Sequence, residues 1–196
     1  MAVIGILFAT TALVAWGFGD FFIQRATRRI GVLRALFFLE FSATVVLLPF
    51  VYKEIGPTFA DGSGMLYLTT SALTLFLAAL LIFKAYKDGK LAIVEPILAL
   101  ELLITVVLGI FVWNENLSFL QLVLVGAVFL GIILSIIRRE KSLEPKKNIF
   151  EKGVWWAVAG AVAMGGANFL FGASSQETSP LMTMWYTSLV GAVFCF

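Results

Sequence analysis

Long runs of apolar residues, each separated from the next by a short polar segment, make up most of the chain. A helix that crosses a bilayer needs about 20 mostly apolar residues. Six such runs are present, and a seventh starts at Pro180, with Ser179 as its predicted N-cap. The six lie at about Val3–Phe22, Val32–Val51, Met65–Tyr86, Pro96–Trp113, Leu117–Ile137 and Gly153–Phe171. The pattern predicts an all-α polytopic membrane protein.

Composition agrees with this class and excludes several kinds of chemistry. Hydrophobic residues make up 61% of the chain and charged residues 13%, whereas soluble domains have about 25% charged residues. The chain has no His, and its single cysteine, Cys195, has no partner for an internal disulfide. It also lacks a P-loop, HExxH and GxSxG motifs. We therefore expect no catalytic residues, no metal, no cofactor and no enzymatic activity.

Positive charge alternates from loop to loop. Thirteen of the 14 Lys and Arg residues lie in the first, third and fifth loops or at their edges. These residues are Arg25, Arg28, Arg29 and Arg34; Lys84, Lys87 and Lys90; and Arg138, Arg139, Lys141, Lys146, Lys147 and Lys152. The positive-inside rule places these loops in the cytoplasm and the N-terminus outside the cell membrane. Basic loops can also attract anionic lipid or nucleic acid. Their short length beside helices favours the topological interpretation, and we expect no nucleic-acid partner.

A weak internal repeat appears when the chain is shifted by 148 residues. Six positions then match, and Asp20 falls on Asn168. The matching pairs are Gly5–Gly153, Ala9–Ala157, Ala15–Ala163, Gly17–Gly165, Phe21–Phe169 and Leu33–Leu181. A repeat of five helices has an odd number, so the second copy must cross the membrane in the opposite direction. Inverted repeats of this kind are common in secondary transporters.

The repeat predicts how the chain is divided. Residues 1–145 form a first five-helix repeat, and residues 146–196 start a second, inverted one. Ten helices are expected in the full protein, of which about six and a half to seven lie in this chain. The seventh helix reaches Phe196 without a polar tail, so we expect the chain to be a fragment.

Glu101 is the first candidate for a functional residue. An ionised group deep in a bilayer costs about 2.5–3.5 kcal/mol on insertion scales, so it faces a cavity, finds a partner or stays protonated. Glu101 lies within the fourth apolar run, and Thr105 and Gly109 follow at four-residue steps on the same helix face. It either contacts substrate or a proton in a central cavity, or is a neutral acid bonded to a neighbouring helix. Both interpretations stay open.

Four further residues are candidates for the substrate or proton pathway. Glu40 lies about two turns into the second run and has the same two interpretations. Glu95 precedes Pro96, where an acid capping the helix start is the simpler explanation. Asp20 follows two glycines near the inner end of the first run, where pairing with a loop arginine is slightly favoured. Trp16 either packs against other helices or lines a cavity, with packing favoured.

Several short motifs resemble the EamA-type transporters of the drug/metabolite transporter superfamily. They are Ala85–Lys90, Val94–Ile97, Trp113–Ser118 with Gln121, Gly126 and Gly131, and Trp16–Gly17 before a Phe-rich segment. Asn114 stands where the family usually has Gly, and Asn116 where Arg is common. The similarity covers Ile4–Ile137 and the start of the next repeat. Because these motifs mostly build the fold, no binding residue is carried over.

The resemblance implies two inverted five-helix repeats that work by alternating access. It further implies export or exchange of a small organic metabolite, such as an amino acid, across the lipid bilayer, with protons as a possible coupling ion. The alternative is a non-transporting membrane subunit or sensor that shares the fold. A water-reachable set of polar side chains between the first four helices would favour transport, and a dry, packed interior would favour the alternative.

Overall fold

The computed structural model describes residues 2–60, 62–114, 117–140 and 152–196, and eight helices account for nearly all of them. Five apolar segments are long enough to cross a membrane: Gly5–Ile30, Val32–Ala60, Gly64–Asp88, Leu91–Trp113 and Gly153–Glu177. The helices are α1 (Ala2–Ile30), α2 (Val32–Ala60), α3 (Gly62–Asp88), α4 (Leu91–Leu98), α5 (Glu101–Trp113), α6 (Phe119–Glu140), α7 (Lys152–Glu177) and α8 (Pro180–Cys195). The protein is therefore an all-helical polytopic membrane protein.

The helices extend well beyond the apolar runs that predict them. Arg25, Arg28 and Arg29 were expected in a loop, yet they lie in the last turns of α1. The connection to α2 is the single residue Gly31, whose φ of 90° is a conformation that glycine adopts without strain. Helices extend through the membrane edge because they satisfy their own backbone groups there, while long basic side chains reach the polar headgroups.

The fourth span is broken in its middle, which the sequence did not predict. The helical segment begins at Leu91 rather than Pro96, and α4 ends at Leu98, just before α5 begins at Glu101. Pro96 lies inside α4 and lacks the N–H that a helix interior requires. At the break, backbone bonds such as Leu100 N–H to Ile97 O, at 3.1 Å, span three residues instead of four. Such a tightened stretch inside a helix often marks a hinge.

The central helix of the bundle is α3, which contributes to all three buried clusters. Leu68 and Ala72 pack with α2 and α8, Ile82 and Ala85 pack with α4 and α7, and Phe83 packs with α2. Helix α7 lies along α3 at small residues, and a Cβ added to Gly160 would lie 3.0 Å from Ile82 Cγ1 of α3. Small residues let helices approach closely where lipid offers no hydrophobic driving force.

Contacts between helix ends give the direction of each helix. Gly89, just after α3, meets Gly153 at the start of α7, so α3 and α7 are antiparallel. Arg28, near the end of α1, bonds to the carbonyl of Gly89, so α1 and α3 end together. Helix α7 therefore runs opposite to α1. Helix α8 likewise runs opposite to α2, because Glu54 near the end of α2 bonds to Ser179 at the start of α8. These are the directions that an inverted repeat requires.

The first and third loops meet at one end of the bundle. We call this the basic end: the end at which α1 and α3 finish and α4 and α7 begin. It carries Arg25, Arg28, Arg29, Arg34, Lys84, Lys87 and Lys90. The fifth loop, at 141–151, lies outside the described residues, as do Asp61 and the Glu115–Asn116 turn. The first and third loops, which the charge pattern in the sequence predicts on the same side of the membrane, thus lie together at the basic end.

Candidate functional site

Two of the predicted acidic residues are bonded to one tyrosine, and a third interacts electrostatically with both of them. Tyr86 of α3 donates a hydrogen bond to Oε1 of Glu95 in α4, at 2.7 Å. Its hydroxyl also bonds to Asp20 of α1. The carboxyl group of Glu101, at the start of α5, is close enough to interact electrostatically with both acids. We call Asp20, Tyr86, Glu95 and Glu101 the carboxyl cluster.

Glu101 occupies the point at which the fourth span is broken. It is the first residue of α5 and the eleventh of the 23 residues in the span Leu91–Trp113, so it lies near the middle of that span. Its side chain is hydrogen-bonded to Asn168 of α7. One turn later, Thr105 Oγ1 donates to the carbonyls of Glu101, at 3.0 Å, and Gly165, at 3.1 Å. Glu101 therefore faces the neighbouring helices.

Helix α7 approaches this break very closely. A Cβ atom placed on Gly165 would lie 2.6 Å from Ile104 Cβ and 2.9 Å from the carbonyl oxygen of Glu101. Only glycine fits at such a distance. Gly166, the next residue, has open space in the same position. The contact brings Asn168 to Glu101, because Asn168 lies three residues beyond Gly165 on the same helix face.

Two members of this site were not among the sequence candidates. Asn168 is the counterpart of Asp20 in the 148-residue repeat, so the register contained a signal for it. Tyr86 lies in the stretch that resembles the transporter family, but its position near a helix end suggested only a role at the membrane surface. Its ring is 4% exposed, and the hydroxyl points to carboxyl groups instead.

Basic side chains near the cluster have other described partners. Arg28 Nε donates to the carbonyl of Tyr86 at 3.2 Å, and Gln24 Nε2 donates to the same oxygen at 3.3 Å. Both side chains also bond to the carbonyl of Gly89, so they cap the C-terminal end of α3. Lys84 Nζ lies 4.4 Å from the centre of the Trp156 ring, which is a cation–π contact.

One expectation about the cluster is wrong, and the two remaining sequence candidates lie outside the cluster. Glu95 does not cap a helix start, because α4 begins four residues earlier and places it inside the helix. Glu40 is bonded to Ser188 of α8 rather than to the carboxyl cluster. Trp16 is 73% exposed, so it neither packs closely nor lines an enclosed cavity within the described part of the chain.

The cluster is built from carboxyl, phenol and amide groups. Across residues 2–60, 62–114, 117–140 and 152–196, no group of His, Cys, Asp and Glu has an arrangement that could hold a metal ion. A separate open cleft of about 330 Å³ lies at the opposite end of the bundle and is lined by Lys53, Glu54, Pro57, Thr58, Glu177 and Thr178. The carboxyl cluster can accept or release protons and can bind a positively charged group.

Apolar helices that are long enough to cross the bilayer, with acidic side chains between them, define a polytopic membrane protein. The sequence model of the EamA-like transporter family matches residues 3–137, which is more than half of the chain. The chain belongs to this family, as its motifs predicted. Comparison with curated proteins and with solved structures gave no significant match.

Proposed function

We propose that this protein is a secondary active transporter that exports or exchanges a small organic metabolite by alternating access. The observation that carries the proposal is the carboxyl cluster at the break between α4 and α5. Five helices contribute to it and to its partner Asn168: α1, α3, α4, α5 and α7. Transporters commonly place substrate and coupling-ion sites at discontinuous helices between repeats.

The chemistry of the cluster favours a positively charged ligand. Three carboxyl groups interact electrostatically with one another, and like charges in a low-dielectric site repel. A proton or an amino group relieves this repulsion by binding there. An amino acid or a related amine carries such a group, and a proton exchanged for it would couple transport to the proton gradient. Asp20, Glu95 and Glu101 are the proposed ligands, and Tyr86 and Asn168 hold them in position.

The proposed orientation follows from the basic end. Arginines and lysines flank spans mostly on the cytoplasmic side, so the basic end faces the cytoplasm and the N-terminus lies outside the cell membrane. Two proposals follow from the 148-residue register. Residues 1–145 form the first repeat, and residues 146–196 belong to the second.

The function can be tested with the full-length protein reconstituted into lipid vesicles. Vesicles with an imposed pH gradient are screened against labelled amino acids, amines and organic acids. We expect uptake or exchange of a ligand that contains an amino group. This transport should dissipate the pH gradient. Absence of uptake and exchange for all these ligands in vesicles that contain folded protein would support the non-transporting alternative, a subunit or sensor that shares the fold.

A further inference from the structure

The side chain of Glu40 contacts α8. It lies apart from the carboxyl cluster. Its carboxyl group is hydrogen-bonded to Ser188, which is 7% exposed. Its side chain also packs against Gly191, where an added Cβ would lie 3.0 Å from Glu40 Cγ and 3.1 Å from Cδ. Glu40 is thus enclosed by one face of α8, and its acid group has a hydroxyl partner there.

The 148-residue register makes this contact unusual, because Glu40 and Ser188 are each other's counterparts. Two positions related by a two-fold rotation are separated by twice their distance from the axis. Counterparts can therefore touch only where the axis passes between them. A hydrogen bond between Glu40 and Ser188 locates the axis that relates the two repeats at this crossing of α2 and α8.

The rest of the α2–α8 interface shows the antiparallel arrangement that such an axis requires. Glu54 Oε2 lies 2.5 Å from Ser179 Oγ at one end, and the rings of Phe37 and Phe196 have centres 6.2 Å apart at the other. Both helices advance by 17 residues between these two contacts, in opposite directions. The two helices therefore cross as an antiparallel pair, in which Ser188 lies near the middle of the stretch between the two contacts and Glu40 lies one turn from Phe37.

We propose that Glu40 and Ser188 form a symmetric pair that fixes α2 on α8 at the axis between the repeats. In this arrangement Glu40 is a positioning residue and not a ligand for substrate or proton. Movement of one repeat against the other requires a contact that persists while the two ends of the bundle open in turn. A contact on the axis keeps the same environment in both orientations, so this pair is suited to that role. The last point rests on the proposed transport function.

Exchange of the two residues provides a direct test in the full-length protein. Glu40→Ser leaves two hydroxyl groups and a space, and Ser188→Glu brings two carboxyl groups together. We expect each single variant to lower the midpoint of thermal unfolding by more than about 3 °C. The double variant Glu40→Ser with Ser188→Glu should recover the midpoint, since the axis makes the exchanged pair equivalent to the original. Losses that add in the double variant would overturn the proposal.

Transport measurements distinguish positioning from ligand binding. We expect the single variants to lower the maximal rate several-fold with the KM for substrate unchanged, and the exchange variant to restore the rate. Glu40→Gln, which keeps the shape and can still bond to Ser188, should retain both the rate and its pH dependence. A Glu40→Gln variant that loses pH dependence would show that Glu40 carries the proton and would reject the proposal. The unfolding cycle needs no transport, so it decides on the pair even if the proposed function fails.

Discussion

Tyr86 holds two of the acidic side chains of the bundle interior in position. Its hydroxyl is bonded to both Asp20 and Glu95, which come from different helices. A buried carboxyl group that loses its donor costs about 1–3 kcal/mol. One phenol group therefore joins α1 to α4 through α3, and it sets the positions at which a proton or an amine would be bound.

Removal of this hydroxyl should affect both stability and transport. In Tyr86→Phe the ring still fills its site, but Asp20 and Glu95 lose a shared partner, so we expect a loss of about 1–3 kcal/mol in the free energy of unfolding. Substrate affinity should fall as well, because the two acids are no longer held together. Tyr67→Phe is the matched control, since Tyr67 lies on the same helix with its ring 42% exposed. Equal effects of the two substitutions on unfolding and KM would contradict the role given to Tyr86.

Glu101 is the proposed coupling group. In Glu101→Gln the side chain resembles the protonated acid and can still bond to Asn168, so expression and folding should be largely retained. Proton-coupled transport should lose its pH dependence, because this position no longer takes up and releases a proton. Flux in vesicles across a series of pH values measures this, with Glu177→Gln at the opposite end as the control. Wild-type pH dependence in Glu101→Gln would remove Glu101 from the coupling role.

Sequence patterns identified the acids but not their partners. Asp20, Glu95 and Glu101 stand out because charged residues are costly inside apolar runs. Tyrosines at the ends of spans are common at membrane surfaces, so nothing in the sequence distinguishes Tyr86 from a surface anchor. Trp16 is the reverse case, since an aromatic residue in an apolar helix has no local feature that tells a buried ring from an exposed one.

The break between α4 and α5 is the structural element on which the proposed site depends. Pro96 has no backbone N–H to donate. Around Leu100, backbone hydrogen bonds span three residues instead of four before α5 begins at Glu101. The sequence predicts a helix start at Pro96, because prolines favour the first helical turn. Whether a proline starts a helix or interrupts one depends on the packing around it. Here α7 lies directly against the break through Gly165.

The packing of α7 on this break can be tested with two adjacent glycines. Gly165→Ala places a methyl group 2.6 Å from Ile104 Cβ, so α7 must move away from α5. We expect a loss of about 1–3 kcal/mol in stability, typical of overpacking, together with reduced transport as Asn168 moves from Glu101. Gly166→Ala meets nothing within 4 Å and should be close to neutral. Thermal unfolding and vesicle flux measure both variants, and a Gly165→Ala protein that matches Gly166→Ala would show that the close contact is dispensable.

At the scale of the whole molecule, the lengths of the apolar runs and the positions of the charged residues predict most of the architecture. Apolar runs located the spans, and the alternating Arg and Lys residues anticipated that the ends of α1 and α3 share one end of the bundle. The 148-residue register anticipated the opposite directions of α1 and α7. The contact between Glu40 and Ser188 was not foreseen, because a register relates positions along the chain and does not show where the axis passes through the bundle.

The orientation of the bundle in the membrane is the last expected outcome. The basic end should face the cytoplasm, since translocation of clustered Arg and Lys residues across the membrane is unfavourable. In a background with Cys195 replaced by serine, Glu115→Cys should react with a membrane-impermeant thiol reagent added outside intact cells. Glu144→Cys, between the fifth and sixth predicted spans, should react only after the cells are permeabilised. Both positions lie outside the described residues, so the assignment rests on the connected helices. Labelling of position 144 but not 115 in intact cells would invert the topology, and the basic end would then face outside the cell.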